Sequence, residues 1–486
     1  MTDTPKSSYF EAFFKPRGVA LIGASSNPNK WGFRVLTNIV AGGYQGPICP
    51  VNPKGGTLFG LQVYPSLQKI PDTINMAVIT IPAPQVPRAL EECAQKGIRS
   101  IVVISSGFSE TGAAGRTLET RIKQIARGKG LHFIGPNTMG IFSAESSLHA
   151  LMPPLQPLAG GVSYVSQSGN VGVQMLAWGQ ERGVGFSKFV SSGNEGDLQC
   201  EDYLEYFAED PETKILLAYI EGLENGRRFL DITRKASRTK PLILFKSGKS
   251  EAGSRAALSH SGALAGQYRL YQSAFQQAGV IEAETSDNLL DYTAAFVHYP
   301  LPKGNKIAVL TRGGGWGVIA ADACREWGLE LAPLSDSLIQ KLDKVLPSYW
   351  SRGNPIDMAA TLNTDAFPIC LEEVIKEEKV DGIIALGVDF GKRTSQMVER
   401  LKEMNLLEGI HIGKAPDEHR DIQLIMELMA VHQKPIVMVS GISTFTKSYA
   451  SAQGRTVLFP TPERAARAMA KLWQYSRFLL RQEMID

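Results

Sequence analysis

The clearest potential for chemistry lies in ALSHSGALAG, residues 257–266, where His260 stands between Ser259 and Ser261 with Gly253, Gly262 and Gly266 close by. Small residues leave backbone N–H groups open and hydroxyls add donors, so an imidazole in this setting can take up and pass on a phosphoryl group. The same segment also reads as a surface loop with an incidental histidine. Glu221, in AYIEG at the end of the apolar run 215–220, is a candidate partner, because that run leads one helix and one strand later to the His260 loop. A carboxylate accepting a hydrogen bond from one imidazole nitrogen fixes the tautomer and leaves the other nitrogen free to attack phosphorus. Taken alone, a carboxylate at a strand end is usually solvated or structural.

Other segments can hold anions. In YVSQSGNVGVQML, residues 164–176, a strand runs into Ser166, Ser168, Gly169 and Asn170 at the start of a helix. N-capping residues and a helix N-terminus together make a phosphate site, although an ordinary capped helix looks the same. Residues 19–22 run into GASSNPNKWGFRVL, a strand, a glycine turn and a helix beginning near Gly32. Gly23 and Gly32 are too far apart for GxGxxG, and no ribose-binding acid follows at the usual offset, which argues against a dinucleotide-dependent oxidoreductase. VNPKGG with Lys54, IPAP with Pro82, and SSGFSETG from Ser105 to Gly112 follow the next strands. All lie at C-terminal strand ends, where open α/β sheets bind ligands, and together they suit a long ligand lying across the sheet edge. SGKS at 247–250 resembles the end of a P-loop, but Ile243 occupies the required glycine position, so Lys249 is read as part of the approach to the histidine loop. Later, Gly315, Gly317 and Ala320 approximate GxGxxA, and Asp357 in NPIDM can cap or bind.

The elements that must position these residues follow a βαβ rhythm, which implies parallel sheets covered by helices on both faces. Expected strands are 19–22, 48–51, 76–81, 100–104 and 132–134, then 162–165, 186–190, 215–220 and 242–245, then 307–310, 382–386 and 436–438. Helices are expected over 86–96, with prolines at its start and Gly97 at its end, and over 462–481. Breaks rich in proline and glycine at 152–161 and 298–306 divide the chain into three doubly wound α/β domains, 1–150, 151–300 and 301–486.

Lys+Arg 51 against Asp+Glu 48 leaves a net charge of +3, with no basic stripe interleaved with aromatics, so nucleic acid is not an expected partner. No run approaches the roughly 20 apolar residues of a membrane span, and the N-terminal segment has no apolar h-region; a cytoplasmic location without membrane contact is expected. The five cysteines are scattered without CxxC spacing, so no metal site and no disulfide framework is expected.

In number and order these motifs resemble the α subunit of the nucleoside-diphosphate-forming acyl-CoA synthetases, relatives of succinyl-CoA synthetase, over nearly the whole chain. VALIGASSNPNKWG, VNPKGG, TIPAP and GPNTMG resemble the CoA-binding, Rossmann-like domain. VSYVSQSGNVG, SSGNEGDL, YIEG and SHSGALAG resemble the flavodoxin-like ligase domain with its phosphohistidine, and LTRGGGWGVIAADA and NPIDM a second flavodoxin-like domain of the acetate-type, ADP-forming branch. The resemblance implies an acid–thiol ligase that interconverts acyl-CoA, ADP and phosphate with free acid, CoA and ATP through an acyl phosphate. It makes His260 the phosphohistidine, Glu221 its orienting glutamate, and Ser168, Gly169 and Asn170 the phosphate site. Gly23, Ala24, Ser25, Asn27, Lys54, Pro82, Ser105 and Glu110 become CoA contacts. It further implies a separate ATP-grasp β subunit that binds ATP or ADP with Mg2+, in a heterodimer or heterotetramer, and a small carboxylic acid as substrate. The rival expectation is a non-catalytic CoA-binding regulatory protein on the same scaffold.

Overall fold

The computed structural model describes residues 6–253, 268–359, 361, 363, 365–388, 390–406, 418–441, 443, 446–451 and 454–483. The chain forms two compact units, Met1–Gln180 with Val184–Leu289, and Glu181–Gly183 with Leu290–Asp486. The described residues of the first unit form two large β-sheets and a two-stranded hairpin.

The first sheet comprises β1 (Val19–Ile22), β2 (Ile48–Val51), β5 (Met76–Ile79), β6 (Ser100–Val103) and β7 (His132–Ile134), with a small hairpin of β3 (Gly56–Leu58) and β4 (Leu61–Val63) beside it. Its order is β2-β1-β5-β6-β7, all parallel. Every residue of β1, β5 and β6 is buried, because helices cover both faces; this is why the strands are uninterrupted apolar runs. The helix Val86–Lys96 carries Pro87 in its first turn and ends on Gly97 in the left-handed conformation, as expected. The expected strand 76–81 stops at Ile79, because Thr80 turns to bond Ile22 O and Pro82 opens a 3-10 turn.

The second sheet has the order β14-β13-β12-β10-β11-β8-β9. Its parallel strands are β10 (Ala159–Ser166), β11 (Phe186–Ser191), β12 (Ile215–Ile220), β13 (Leu242–Lys246) and β14 (Ile281–Ala283). The rhythm did not reveal β8 (Gly140–Ser143), which pairs antiparallel with β11, or β9 (Leu148–Leu151), which pairs antiparallel with β8; both extend this sheet with residues N-terminal to position 152.

An N-terminal helix, Lys6–Phe14, was also not expected from the sequence. Phe10 stacks on Tyr206 at 4.7 Å and meets Tyr203 edge-on at 5.8 Å, while Phe14 lies 5.5 Å from Tyr206. Tyr9 stacks on His132 of β7 at 4.0 Å. One aromatic helix thus ties the first sheet to the helix Cys200–Glu209 of the second, and one continuous core includes residues of both sheets.

The second unit is built on β15 (Lys306–Thr311), β16 (Glu330–Leu331), β17 (Ile356–Asp357), β18 (Gly382–Leu386), β19 (Ile436–Val439), β20 (Lys447–Ser451) and β21 (Gly454–Phe459). The order is β16-β15-β18-β19-β21-β20, parallel except for the edge strand β20, with β17 alongside β15. The last helix runs Pro462–Glu483. Gly317 packs on Pro355, Gly314 on Asp357, and Asp357 accepts the Ala359 N–H at 2.9 Å, so this glycine turn serves close packing.

Candidate active site

Both sheets of the first unit change winding direction once. In the first, β1 pairs with β2 on one side and β5 on the other, so the crevice opens beyond the C-terminal ends of β1 and β5. Gly23 sits there with φ +96. The helix Trp31–Ala41 approaches so closely that a Cβ on Gly32 would stand 2.0 Å from the Gly23 carbonyl oxygen, so only glycine fits. Ala24, Ser25 and Asn27 continue this turn, in which Ser25 Oγ accepts the Asn27 N–H at 3.1 Å. Lys54 is exposed after β2 and Pro82 is exposed after β5. Ser105 follows β6 and donates its hydroxyl to Ile81 O at 2.5 Å, joining two neighbouring loops. The sequence-predicted CoA residues therefore do share one sheet edge.

In the second sheet the reversal falls between β10 and β12, and the predicted phosphate residues and Glu221 flank it. Ser168 precedes the helix Gly169–Glu181, and Ser166 Oγ donates to Ser168 O at 2.7 Å, shaping the turn. A Cβ on Gly169 would stand 2.6 Å from Met139 Cγ, so the helix start is held against GPNTMG. Glu221 lies at the end of β12 and is 9% exposed. Ser168, Gly169, Asn170 and Glu221 all line one cavity of about 820 Å³, which reaches the first-sheet edge at Trp31, Ser106 and Ser109. Arg116 and Lys123 of the helix Ala113–Lys129 bring positive charge to its wall. Such a space suits a drug-sized or larger ligand. Among the described residues no group of three or more His, Cys, Asp or Glu gathers as a metal site.

His260 lies outside the described residues. Its approach is visible: Lys246, at the end of β13, donates to Glu221 O at 2.7 Å and Ser247 O at 2.5 Å. Burial pushes the Lys246 amine down to about 8, against the opposing pull of Glu221. Lys249 donates to the carbonyls of Ala283 and Glu284 at 3.1 and 2.9 Å, which agrees with rejecting a P-loop here.

Three residues that sequence reasoning passed over organise the cavity. Gln167 accepts the Glu221 and Gly222 N–H groups on Oε1 at 2.5 and 3.1 Å, and donates Nε2 to Gly222 O at 2.9 Å and Glu195 Oε2 at 3.0 Å. Glu195 also accepts the Ser192 hydroxyl at 2.7 Å. Asn194 donates to Glu110 Oε2 at 2.6 Å and Glu119 Oε2 at 3.1 Å, locking the second-sheet loop onto the first. Glu110, expected at the CoA edge, is committed to this lock and to the N–H groups of Gly107 and Phe108 at 2.6 and 3.1 Å. Burial works to raise its pKa, but the hydrogen bonds prevail and hold the carboxyl below its ordinary range. Gln167, Asn194 and Glu195 all lie within YVSQSGN and SSGNEGD, but their roles depend on hydrogen bonds to distant loops, which these segments do not mark by themselves.

Comparison with known proteins agrees with this geometry. Residues 17–144 match the CoA binding domain and residues 159–296 the succinyl-CoA ligase like flavodoxin domain. The α subunit of acetate–CoA ligase [ADP-forming] I of Pyrococcus furiosus is 34% identical over 475 residues, covering 96% of this chain and 98% of that one. This chain belongs to the α-subunit family of the ADP-forming acetate–CoA ligases. A longer member from Archaeoglobus fulgidus, acetate–CoA ligase [ADP-forming] I, is 35% identical across 98% of this chain, which spans 65% of that relative. The family fold extends to the dinucleotide-forming acetyl-coenzyme A synthetase 1 of Candidatus Korarchaeum cryptofilum, solved with phosphate and ADP. It is 31% identical with a TM-score of 0.80, covering 97% of this chain and 98% of that one.

Proposed function

We propose that this chain carries the CoA-binding and phosphoryl-relay half of an ADP-forming acyl-CoA synthetase. The observation that carries the reading is the shared cavity: a helix N-terminus at Ser168–Asn170 and the Glu221 carboxylate open onto a sheet edge of CoA-binding type. Orthophosphate held at residues 168–170 attacks the thioester carbonyl; the C–O bond forms, the C–S bond breaks, and CoA leaves as its thiolate and takes a proton. The N–H groups at the helix start stabilise the charge that develops in this step. An imidazole nitrogen of His260 then attacks phosphorus, the P–O bond to the acyl group breaks, and the carboxylate departs. Phosphohistidine passes the group to ADP, giving ATP. Glu221 orients the imidazole and offsets its positive charge.

ADP and Mg2+ are assigned mainly to a partner subunit of ATP-grasp type, forming a heterodimer or heterotetramer, and the acid is a small carboxylic acid. Gly23, Ala24, Ser25, Asn27, Lys54, Pro82 and Ser105 are the proposed CoA contacts, with Glu110 bracing their edge. The domain division 1–150, 151–300 and 301–486 and a cytoplasmic location belong to the same reading; among the described residues no helix is long and apolar enough to cross a membrane. The test is ATP formation from acetyl-CoA, ADP and phosphate by the chain mixed with an ATP-grasp partner. Activity that survives His260→Asn contradicts the relay.

A further inference from the structure

The pairing of β12 with β13 ends at Ile220, whose carbonyl accepts the Ser247 N–H at 3.0 Å. Beyond that point side chains take over the backbone. The Glu221 N–H goes to Gln167 Oε1 at 2.5 Å, and the Glu221 carbonyl accepts from Lys246 Nζ at 2.7 Å. Gln167 Oε1 also accepts the Gly222 N–H at 3.1 Å. The peptide between Glu221 and Gly222 is trans, so its N–H and C=O point opposite ways, and it is gripped at both edges. With glycine as the next residue, that plane would otherwise turn with little steric hindrance.

The relay gives Lys246 no part, yet its setting is unusual for a lysine. It is the last residue of β13 and is only 2% exposed. Its ammonium also donates to Ser247 O at 2.5 Å and stands 4.9 Å from the ring centroid of Tyr271, on the helix Tyr268–Ala278. Among the described residues it forms no ion pair, whereas Lys188, also buried, pairs with Asp210 at 2.6 Å. Burying a cation without a counter-ion is costly for folding. An apolar side chain of the same length would avoid that cost, but would leave both carbonyls without this donor. Those carbonyls belong to Glu221 and to Ser247, the first residue past β13 in the segment that continues to His260.

We propose that Lys246 is a positioning residue: it holds the carbonyls of Glu221 and Ser247 together, and so fixes the Glu221 carboxylate with respect to the start of the segment that carries His260. The inference rests on reading Glu221 as the residue that orients His260. Gln167 and Lys246 then act as a pair, one on each edge of the same peptide. A displacement of about 1 Å at such a site costs on the order of a hundredfold in rate.

The experiment uses the full chain with an ATP-grasp partner. It measures, in single turnover, the rate at which His260 takes label from acetyl-CoA and radiolabelled phosphate, with CoA affinity followed by calorimetry. Lys246→Met keeps the length of the side chain and removes its donors; labelling is expected to slow about tenfold to a hundredfold, with CoA affinity unchanged. Lys246→Gln, which keeps an N–H donor on a shorter stem, is expected to lose less, and it decides alone if circular dichroism shows Lys246→Met to be unfolded. Each change is then combined with Glu221→Ala, which leaves no carboxylate to aim. A residue that acts through Glu221 slows labelling no further on that background. A merely structural lysine slows both backgrounds by the same factor, and that result overturns the proposal. Labelling of the Lys246 variants at the wild-type rate overturns it too, as does slowing explained by a loss of CoA affinity. A wild-type chain that takes no label overturns the relay and this inference with it, whereas labelled wild type with equal factors on the two backgrounds overturns this inference alone.

Discussion

Gln167 holds Glu221 by its backbone, accepting the Glu221 N–H at 2.5 Å on a side-chain oxygen that also takes the Gly222 N–H. The residue that opens the turn before the helix Gly169–Glu181 therefore sets where the Glu221 side chain begins. Because the same amide reaches Glu195, three loops from three strands are tied together.

Gln167→Ala leaves two strand-end N–H groups without their acceptor, at a cost of about 1–3 kcal/mol each where water cannot replace it. The expected outcome is a fall in kcat of about tenfold to a hundredfold. CoA affinity should be nearly unchanged, because the first-sheet edge is not touched. Steady-state kinetics with direct CoA titration checks this; weakened CoA binding with kcat intact contradicts the positioning role.

Glu221→Gln removes the charge but keeps the shape. Phosphorylation of His260 should slow by about a hundredfold or more, as loss of an electrostatic partner to a developing cation predicts. CoA affinity should be unaltered. If CoA binding collapses instead, Glu221 is structural.

Phe10→Ala tests how the two sheets of the first unit are joined. Phe10 is 2% exposed and stacks on Tyr206, so its loss should cost about 3–5 kcal/mol. The measurement is the shift of the unfolding transition in urea. A change below about 1 kcal/mol, the scale of a surface substitution, would show that the N-terminal helix contributes little.

The sequence made the strands readable where both faces are covered. Residues 19–22, 48–51 and 215–220 are uninterrupted apolar runs, and their observed boundaries coincide with the expected ones. Elements outside that pattern were opaque. The strands β8 and β9 pair antiparallel, and the helix Lys6–Phe14 is defined by aromatic partners nearly 200 residues away in the chain, such as Phe10 with Tyr206. The site shows the same divide. Ser168–Asn170 and Glu221 could be found because strand-end loops and helix starts have local signatures. Gln167 and Glu195 could not, since their roles depend on hydrogen bonds to residues 54 and 28 positions away, which only the folded chain brings near.

Glu195 should also mark the pH dependence of stability. Its carboxyl is raised from 4.5 to about 8, so between these values the folded chain holds a proton that the unfolded chain has lost. The stabilisation is fully present below about pH 4.5 and is lost as pH rises through about 8. Glu195→Gln should therefore gain stability relative to wild type as pH is raised from about 5 to about 8. Thermal melts across that range check the direction; parallel curves for the two proteins contradict it.

The central claim is that His260 carries the phosphoryl group, and covalent labelling tests it most directly. The chain is incubated with acetyl-CoA and radiolabelled phosphate, with and without an ATP-grasp partner, and the label is mapped. The account expects an acid-labile, alkali-stable phosphate on His260 that is absent from His260→Asn and is chased into ATP on adding ADP with the partner. Label that persists in His260→Asn, or a wild-type chain that takes up none with the partner present, would contradict it.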